Sequence, residues 1–397
     1  MRISSLGAYL NGLTAMQRLQ VALDQTQRQI ATGRRILTPS DDPIAASRAL
    51  ELREAVGRLE QFDRNAGIAK NRLAQEENVL GSVNNVLQRV RELALQANNA
   101  TQSDETRDLI AIEMREHLDH LVQLANQRDG AGRYLFAGNR DDTEPVSRSG
   151  ATFTYNGDQG QRFIQVGEGR QVADGDSGYD VFFRVRAGNG TFTTSALGTN
   201  AGTGIVGNSS VTNPVAWNRD TYTVTFLDPA SYEVRDSGGT LVASGGYQSG
   251  DRIAFAGIEF GLTGQPAAGD AFRVEPSPFK DIFTAVERLA STIEQSVSDD
   301  PTRAAMANGI NQGLTDLDQA IGNLLNVRTK VGSRLAVIDN QVDSNGALSL
   351  TIQETLAGIQ DLDYAEALSR LSQQVTTLEA AQQSFVRTQQ LTLFDYI

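Results

Sequence analysis

Residues 310–359 read INQGLTDLDQAIGNLLNVRTKVGSRLAVIDNQVDSNGALSLTIQETLAGI, and in this stretch apolar residues return every seven positions. Two rows share this spacing: Ile310, Leu317, Leu324, Val331, Ile338, Ile352 and Ile359, and beside them Leu314, Ile321, Leu335, Val342 and Leu356. Only Arg328, Asn345 and Ser349 interrupt the rows. A seven-residue repeat of this length predicts a coiled-coil helix, and we expect it to break or bend at Asn345-Gly346.

Both ends of the chain carry further amphipathic helix patterns. The N-terminal stripe has three- and four-residue spacing and holds Leu6, Leu10, Leu13, Met16, Leu19, Leu23 and Ile30. Gly33 is the predicted C-cap of that helix, and Asp42 and Pro43 are the predicted N-cap and first residue of the next. A separate C-terminal helix, out of phase with residues 310–359, is predicted from Leu368, Leu371, Val375, Leu378 and Phe385.

The middle of the chain, from about residue 134 to 278, has a different composition and a different hydrophobic pattern. Gly, Ser, Thr, Asn and Asp are frequent there, and short alternating runs such as residues 222–226 (YTVTF) lie between turn signals such as Asn156-Gly157. Such runs predict antiparallel strands joined by hairpins. The predicted fold is therefore α+β, with a long antiparallel helical bundle or coiled coil formed by both chain ends and an inserted all-β region at its tip.

Three regions follow from these patterns. The predicted boundaries are 1–42 plus 345–397 for terminal coiled-coil assembly helices, 43–138 plus 278–344 for a helical rod, and 139–277 for a β-rich insertion with two small subdomains of approximately 139–200 and 201–277. The stripes of the terminal helices are sparse and rich in Gln, so we expect them to be marginally stable alone and to fold against neighbouring subunits.

The composition excludes several classes of function. The formal net charge of -13 argues against nucleic-acid and anionic-membrane partners, which need clustered positive charge. The absence of Cys removes disulfides, zinc fingers and thiol nucleophiles. No stretch approaches the roughly 18 apolar residues that span a bilayer, and the first twenty residues lack the features of a secretory signal. If the protein leaves the cell, we expect export without a cleavable signal peptide.

The chemical motifs are weak. Residues 175–178 (GDSG) resemble the surroundings of a serine protease nucleophile, but the only histidines, His117 and His120, lie one turn apart on a predicted helix. Neither this pair nor the aspartates at 174, 176 and 180 has the ligand spacing of a metal site. We therefore expect no catalytic residues, no cofactor and no metal, and predict that the protein is not an enzyme.

Several segments resemble a known family. Residues 29–36 (QIATGRRI), 39–43 (PSDDP) and Ala45-Ala46 look like the N-terminal signature of the bacterial flagellin superfamily. Residues 132–138 (GRYLFAG), 155–158 (YNGD) and 391–397 (LTLFDYI) are similar to one branch of it, the hook-filament junction proteins. A true flagellin usually ends without the Phe-Asp-Tyr element. The residues of this chain that carry the signature are Gly33, Asp41, Asp42, Pro43, Tyr134, Phe136 and Gly138.

The resemblance implies a structural role without catalysis. Similar proteins are exported unfolded through the flagellar type III apparatus, with a cytoplasmic chaperone on the C-terminal region. Outside the cell they join another hook-associated protein to the flagellin filament and pack against copies of themselves, with the β region on the outer surface. The positions that the resemblance points to for packing between subunits are Leu6, Leu10, Leu13, Leu19, Leu23, Ile30, Leu368, Leu371, Val375, Leu378, Phe385, Leu393 and Phe394.

Two alternative functions remain open at this point. A filament-forming flagellin would polymerise with itself, although the C-terminal residues argue against it. A secreted glycan-binding adhesin or hydrolase on a helical stalk would need a cleft in the β region with converging aromatic side chains or carboxylates. The aromatic residues available for such a cleft are Trp217, Tyr222, Tyr232 and Tyr247.

Overall fold

A computed structural model describes residues 5–390, apart from the side chains of residues 5, 6, 8 and 388–390. The packing positions Leu393 and Phe394 and the side chain of Leu6 therefore lie outside the described part. Six α-helices occur within it: α1 (Ser5–Thr32), α2 (Pro43–Ala97), α3 (Asp104–Ala125), α4 (Ile282–Ile293), α5 (Asp300–Gln360) and α6 (Tyr364–Gln390). Helices thus form both ends of the described residues and an antiparallel β region forms their centre, as the sequence predicts.

The helix ends between α1 and α2 follow the local sequence. Thr32 is the last residue of α1, and Gly33 has a φ of 68°, the left-handed conformation that favours glycine after a helix. Pro43 is the first residue of α2, where its missing N–H costs nothing. The Oδ1 atom of Asp42 accepts a hydrogen bond from the backbone N–H of Ala45 at 3.0 Å. Both predicted caps are therefore confirmed.

The predicted break in the long C-terminal helix is wrong. α5 runs without interruption for 61 residues. Asn345 is buried, donates from Nδ2 to Oδ1 of Asp63 on α2 at 3.0 Å, and accepts from Nε2 of Gln341 at 2.9 Å. A buried amide with both ends satisfied costs little, so the helix continues through it. Gly346 is tolerated inside the helix at a cost of about 1 kcal/mol relative to Ala.

The chain divides into two compact units. The smaller holds residues 1–64 and 340–397, and the larger holds residues 65–339. In the larger unit α2 and α5 run antiparallel, because Lys70 pairs with Asp339 at 2.6 Å while Glu77 accepts from Arg328 at 2.6 Å. The first heptad row is buried there at Ile310, Leu317, Leu324, Val331 and Ile338. Arg328 interrupts the second row, and at this position its guanidinium forms the ion pair with Glu77 of α2.

The larger unit contains fourteen short strands among its described residues. They are β1 (Val146–Ser149), β2 (Thr152–Tyr155), β3 (Phe163–Gly167), β4 (Arg170–Ala173), β5 (Val185–Arg186), β6 (Phe192–Ala196), β7 (Ile205–Val211), β8 (Tyr222–Asp228), β9 (Ser231–Arg235), β10 (Leu241–Gly246), β11 (Arg252–Phe255), β12 (Ile258–Thr263), β13 (Ala271–Pro276) and β14 (Phe279–Lys280). The pairs β1-β2, β3-β4 and β5-β14 form small two-stranded sheets. The other strands form two antiparallel sheets, ordered β10-β9-β8-β13-β6 and β11-β12-β7.

The β region has two separate aromatic cores. In the first, Phe283 of α4 lies 5.4 Å from the ring of Phe153 and 5.8 Å from that of Phe182, which follows β4. The second lies in the five-stranded and three-stranded sheets and extends from Phe192 to Val274. β6 belongs to this second core because it pairs with β13, whereas the sequence grouped residues 192–196 with the first subdomain. Sequence spacing does not reveal a pairing between strands this far apart.

None of the helices within residues 5–390 combines the length and the hydropathy that crossing a membrane requires.

Candidate assembly surface

The two terminal helices form an antiparallel pair. The ring of Tyr9, near the start of α1, lies 5.4 Å from that of Phe385, near the end of α6. Gly12 faces the same ring so closely that a Cβ there would lie 3.0 Å from it. At the other end, the carbonyl of Gly33 accepts from the backbone N–H of Leu362 at 3.0 Å. These contacts fix the register of α1 against α6.

The described packing candidates fall into two groups. The first, here called the inner seam, is half-buried within the α1–α6 pair and consists of Leu19, Leu23, Ile30, Leu371, Leu378 and Phe385. The second, here called the outer stripe, is exposed and consists of Leu10 (50%), Leu13 (37%), Leu368 (53%) and Val375 (38%). The seam stabilises the pair itself, whereas the stripe leaves a large part of each apolar side chain exposed. Exposed apolar side chains arranged along a helix are typical of a protein-binding surface.

A short backbone joint connects the α1–α2 turn to the α5–α6 turn. Arg34 and Asp361 form an isolated antiparallel bridge, and the backbone N–H of Arg35 donates to the carbonyl of Gln360 at 2.8 Å. The guanidinium of Arg35 donates to the carbonyl of Ile359 at 2.9 Å. Because these bonds join residues far apart in sequence, they hold the first residues of α6 beside the end of α1.

Asp41 closes the turn before α2. Its Oδ2 atom accepts from the backbone N–H groups of Leu37 at 3.0 Å and Thr38 at 2.8 Å, and its Oδ1 atom accepts from Nε2 of Gln25 at 3.1 Å. The hydrogen bond from the Thr38 backbone, more than any other contact, lowers the pKa of Asp41. The Asp41-Asp42-Pro43 part of the signature therefore shapes the turn, with Asp41 binding its backbone and Asp42 capping α2.

The other signature segments meet in the larger unit. Asp158 Oδ1 accepts from the backbone N–H groups of Asn139 and Gly160, both at 2.8 Å, and the hydrogen bond from Asn139 is the main cause of the lowered pKa of Asp158. The hydroxyl of Tyr155 donates to the carbonyl of Phe136 at 2.8 Å. Gly138 has a φ of 68°, and a Cβ there would lie 2.2 Å from Asp158 Oδ1. Residues 132–138 and 155–158 thus form one packed unit.

Tyr134 and Phe136 anchor this unit through separate contacts. The Tyr134 ring is buried under the guanidinium of Arg128, 4.3 Å from its centroid, and its hydroxyl accepts from Nη2 of Arg128 at 2.7 Å. Phe136 is fully buried and meets Phe182 edge to face at 5.1 Å. Neither side chain is exposed, and their contacts link residues 132–138 to Arg128, which follows α3, and to Phe182, which follows β4.

A buried set of charged residues next to this unit was not predicted from the sequence. Arg72 on α2 donates to Asp129 at 2.7 Å, and Asp176 accepts two hydrogen bonds from Arg334 at 2.8 and 2.9 Å. Between them lies Glu76, 1% exposed, whose Oε1 atom accepts from the Asp176 backbone at 3.1 Å. Helical periodicity identifies apolar positions, and the spacing of Arg72 and Glu76 gave no signal that they are buried.

Burial raises the pKa of Glu76 well above its ordinary value, and the nearby charge of Asp176 raises it further. Since the folded state holds this proton more tightly, we expect the free energy of unfolding contributed by Glu76 to be highest below about pH 4.5 and to fall as the pH rises through the folded-state pKa. Glu76→Gln should lack this fall, so its stability relative to the wild type should increase with pH. Urea unfolding of both proteins at a series of pH values measures the difference.

The exposed Glu116→Gln on α3 is the matched control, which should follow the wild-type pH dependence. A Glu76→Gln variant whose stability relative to the wild type does not change with pH would show that the folded state does not hold this proton.

The weak catalytic and metal motifs have structural roles. Ser177 is buried, and its hydroxyl donates to the carbonyl of Asp158 at 2.8 Å. Asp174 pairs with Arg162, and His117 lies 3.6 Å from Glu113 on the same helix. Within residues 5–390, no group of three or more His, Asp or Glu side chains is placed to hold a metal ion.

The four aromatic residues considered for a sugar-binding cleft lie in or against the second core. Trp217, Tyr222 and Tyr247 are 8%, 1% and 5% exposed and belong to the second core, with Tyr232 packed against it. The hydroxyl of Tyr247 donates to the carbonyl of Gly264 at 3.0 Å. These four rings therefore pack within the sheets and do not form the stacking platform that the adhesin alternative assigned to them.

Comparisons with known proteins agree with this architecture. The family model for the bacterial flagellin N-terminal helical region matches residues 3–141, and that for the C-terminal helical region matches residues 314–397. Between them lies most of the β region, which neither model covers.

Three relatives show how far the similarity extends. Flagellar hook-associated protein 3 of Salmonella typhimurium is 25% identical over 396 residues, which is 99% of each chain. The crystal structure of FlgL from Xanthomonas campestris has 35% sequence identity and a TM-score of 0.73, covering 77% of this chain and 99% of that one. A flagellin of Salmonella derby is 25% identical over 269 residues, which is 62% of this chain and 53% of that protein.

Proposed function

The chain belongs to the FlgL family of flagellar hook-associated proteins, and from this premise we propose that it joins the flagellar hook to the flagellin filament. The observation that carries the proposal is a full-length similarity to hook-associated protein 3 together with the exposed outer stripe on α1 and α6. The flagellin similarity, by contrast, covers about half of that relative. The function is structural, and no chemistry is assigned to it.

The partners we propose are protein surfaces. On the hook side the chain binds another hook-associated protein, on the filament side it binds flagellin, and around the junction it binds copies of itself. The outer stripe residues Leu10, Leu13, Leu368 and Val375 are exposed in the single chain, which supports their burial between subunits. The same proposal assigns subunit assembly to residues 1–42 and 345–397, a helical rod to residues 43–138 and 278–344, and the outer surface to residues 139–277.

We further propose that the chain is exported to the extracellular flagellum without a cleavable signal peptide. A cytoplasmic export chaperone would bind the C-terminal region before export. The exposed apolar residues of α6, Leu368 and Val375, support this proposal because a free helix of this kind needs cover in the cytoplasm.

Deletion of residues 391–397 tests the proposed function. The variant and the wild type are expressed in a strain that lacks the native protein, and the culture medium, the hook tips and motility are examined. We expect the variant to be secreted but unable to hold a filament, so that flagellin is shed into the medium and motility is lost.

Replacement of Val215 by Ser is the control, because this side chain is 95% exposed in the β region and lies far from either end of the sequence. That variant should hold filaments normally. Normal filament attachment by the deletion variant, or long fibres formed by the purified wild-type chain alone, would contradict the junction function.

A further inference from the structure

A cleft of about 690 Å³ lies in the larger unit, and the proposed function does not use it. Three segments form its walls: residues 159–163, which lead into β3, residues 176–184, which follow β4, and residues 323–334 of α5. The lining residues of α5 are three or four positions apart and share one face of the helix: Asn323, Val327, Lys330 and Arg334. The volume of the cleft is within the range of small-molecule sites.

Two amide oxygens in this cleft have fixed orientations. The Nδ2 atom of Asn323 donates to the carbonyls of Asp180 and Val181, both at 3.0 Å, so both of its hydrogens are used and its Oδ1 atom points away from them. The Nε2 atom of Gln161 donates to Oδ1 of Asp176 at 2.7 Å, which orients the second amide. Neither amide oxygen accepts a hydrogen bond from the described residues, and neither is closed off from solvent. The cleft therefore presents two oriented hydrogen-bond acceptors.

A buried ion pair holds one of these amides in place. Asp176 is buried and accepts two hydrogen bonds from Arg334 of α5. Because Asp176 cannot rotate without breaking them, Gln161, which donates to the same carboxylate, keeps its orientation. Val327 is also buried and adds an apolar contact from α5. This side of the cleft is ordered before a ligand arrives, which lowers the entropy cost of binding.

The cleft also has an exposed aromatic ring and an unpaired cation. Phe163, the first residue of β3, is 59% exposed. Lys330 is exposed and forms no ion pair within residues 5–390. Two further charged residues of the lining, Arg184 and Asp180, pair with each other at 3.4 Å. The cleft therefore carries a net positive charge in a chain whose net charge is -13.

We propose that this cleft binds a pyranose sugar that carries a carboxylate. The sugar hydroxyls donate to Oδ1 of Asn323 and Oε1 of Gln161, the two acceptors that no described residue uses. The apolar face of the pyranose ring packs on the ring of Phe163, and the ammonium group of Lys330 pairs with the carboxylate. Asn323 and Lys330 are two helical turns apart, about 10 Å, a distance that a hexuronate and the flexible lysine side chain together can bridge.

Methyl β-D-glucuronide is the probe for this proposal, because its ring is locked as a pyranose and carries a carboxylate. We expect saturable binding to the purified full chain in saturation-transfer NMR at low ionic strength. Two related compounds test the chemistry: methyl β-D-glucopyranoside lacks the carboxylate, and cyclohexanecarboxylate lacks the hydroxyls. Each should bind at least about fivefold more weakly, since the first loses an exposed ion pair and the second loses two hydrogen bonds. Absence of saturable glucuronide binding, or a related compound that binds as tightly, would overturn the proposal.

Two substitutions locate the bound sugar in the cleft. Lys330→Gln removes the cation, so it should weaken glucuronide binding about fivefold and leave the glucopyranoside unaffected. Phe163→Thr removes the ring, so it should weaken the binding of both sugars about fivefold. Circular dichroism verifies that each variant is folded.

Arg303→Gln and Leu227→Thr are the matched controls. Arg303 is an exposed cation on the same helix as Lys330 but outside the cleft, and Leu227 is 58% exposed on β8. Both controls should bind the glucuronide as the wild type does. Wild-type affinity in either Lys330→Gln or Phe163→Thr would overturn the proposal, because the sugar would then lie elsewhere. Filament attachment measures the junction function separately, so neither result bears on it.

Discussion

Replacing Leu368 and Val375 by Ser is expected to abolish filament attachment while lowering the thermal stability of the monomer less than truncation of the inner seam does. These outer stripe residues are 53% and 38% exposed in the single chain, so the monomer loses only the packing of their covered parts. Burying them between subunits should contribute on the order of 3 kcal/mol per copy, which corresponds to more than a hundredfold in association. Circular dichroism of the purified variant and filament attachment in a strain lacking the native protein measure the two effects.

Two controls make this experiment specific. Leu371→Ser with Leu378→Ser changes the inner seam instead, and should lower the thermal stability of the α1–α6 pair as well as attachment. Leu325→Ser changes a leucine of similar exposure, 48%, on α5 in the larger unit, and should alter neither. Filaments that hold normally on the Leu368/Val375 variant would remove the outer stripe from the assembly surface.

Gly138→Ala should be the most destabilising single methyl addition among the signature residues. Alanine at a φ of 68° costs about 1–2 kcal/mol, and its Cβ would lie 2.2 Å from Asp158 Oδ1 and 2.4 Å from the Asp158 carbonyl. Asp158 must then move and give up its hydrogen bonds to the backbone N–H groups of Asn139 and Gly160. We therefore expect the free energy of unfolding to fall by about 4 kcal/mol in total. Calorimetry measures the loss, and hydrogen exchange of residues 132–160 locates it.

Gly132→Ala is a close control for this substitution. Gly132 also has a positive φ, 81°, but a Cβ there would meet no atom within 4 Å. Gly132→Ala should therefore lower the free energy of unfolding only by the strain of the left-handed backbone, about 1–2 kcal/mol. If the two substitutions cost the same, the close approach of Gly138 to Asp158 is not what holds residues 132–138 and 155–158 together.

The sequence predicts local features of the fold well. The caps at Gly33 and Asp42-Pro43 depend on neighbouring residues, and the structure has them at the predicted positions. The break expected at Asn345-Gly346 failed because a tertiary hydrogen bond to Asp63 satisfies Asn345. A partner supplied by another helix is not visible in the local pattern.

The candidate assembly surface was only partly predictable. Periodicity identified the apolar residues of α1 and α6, but it could not separate those half-buried in their own pair, such as Leu371, from those left exposed, such as Leu368. That distinction depends on the register of two helices from opposite ends of the chain. The buried charges of Arg72 and Glu76 also escaped prediction, because a charged residue on a helix ordinarily faces solvent.

The contact between Gly12 and Phe385 has a consequence for the order of folding. These residues are about 370 positions apart, and closing this loop costs about 2–3 kcal/mol more in chain entropy than closing a loop of about 20 residues. The unit around Gly138 and Asp158 spans only about 20 positions and should form much earlier. We therefore expect refolding to be at least biphasic, with the terminal pair formed last. If the chain folds at its site of assembly, a slow final step leaves time for α1 and α6 to meet a neighbouring subunit before they close on each other.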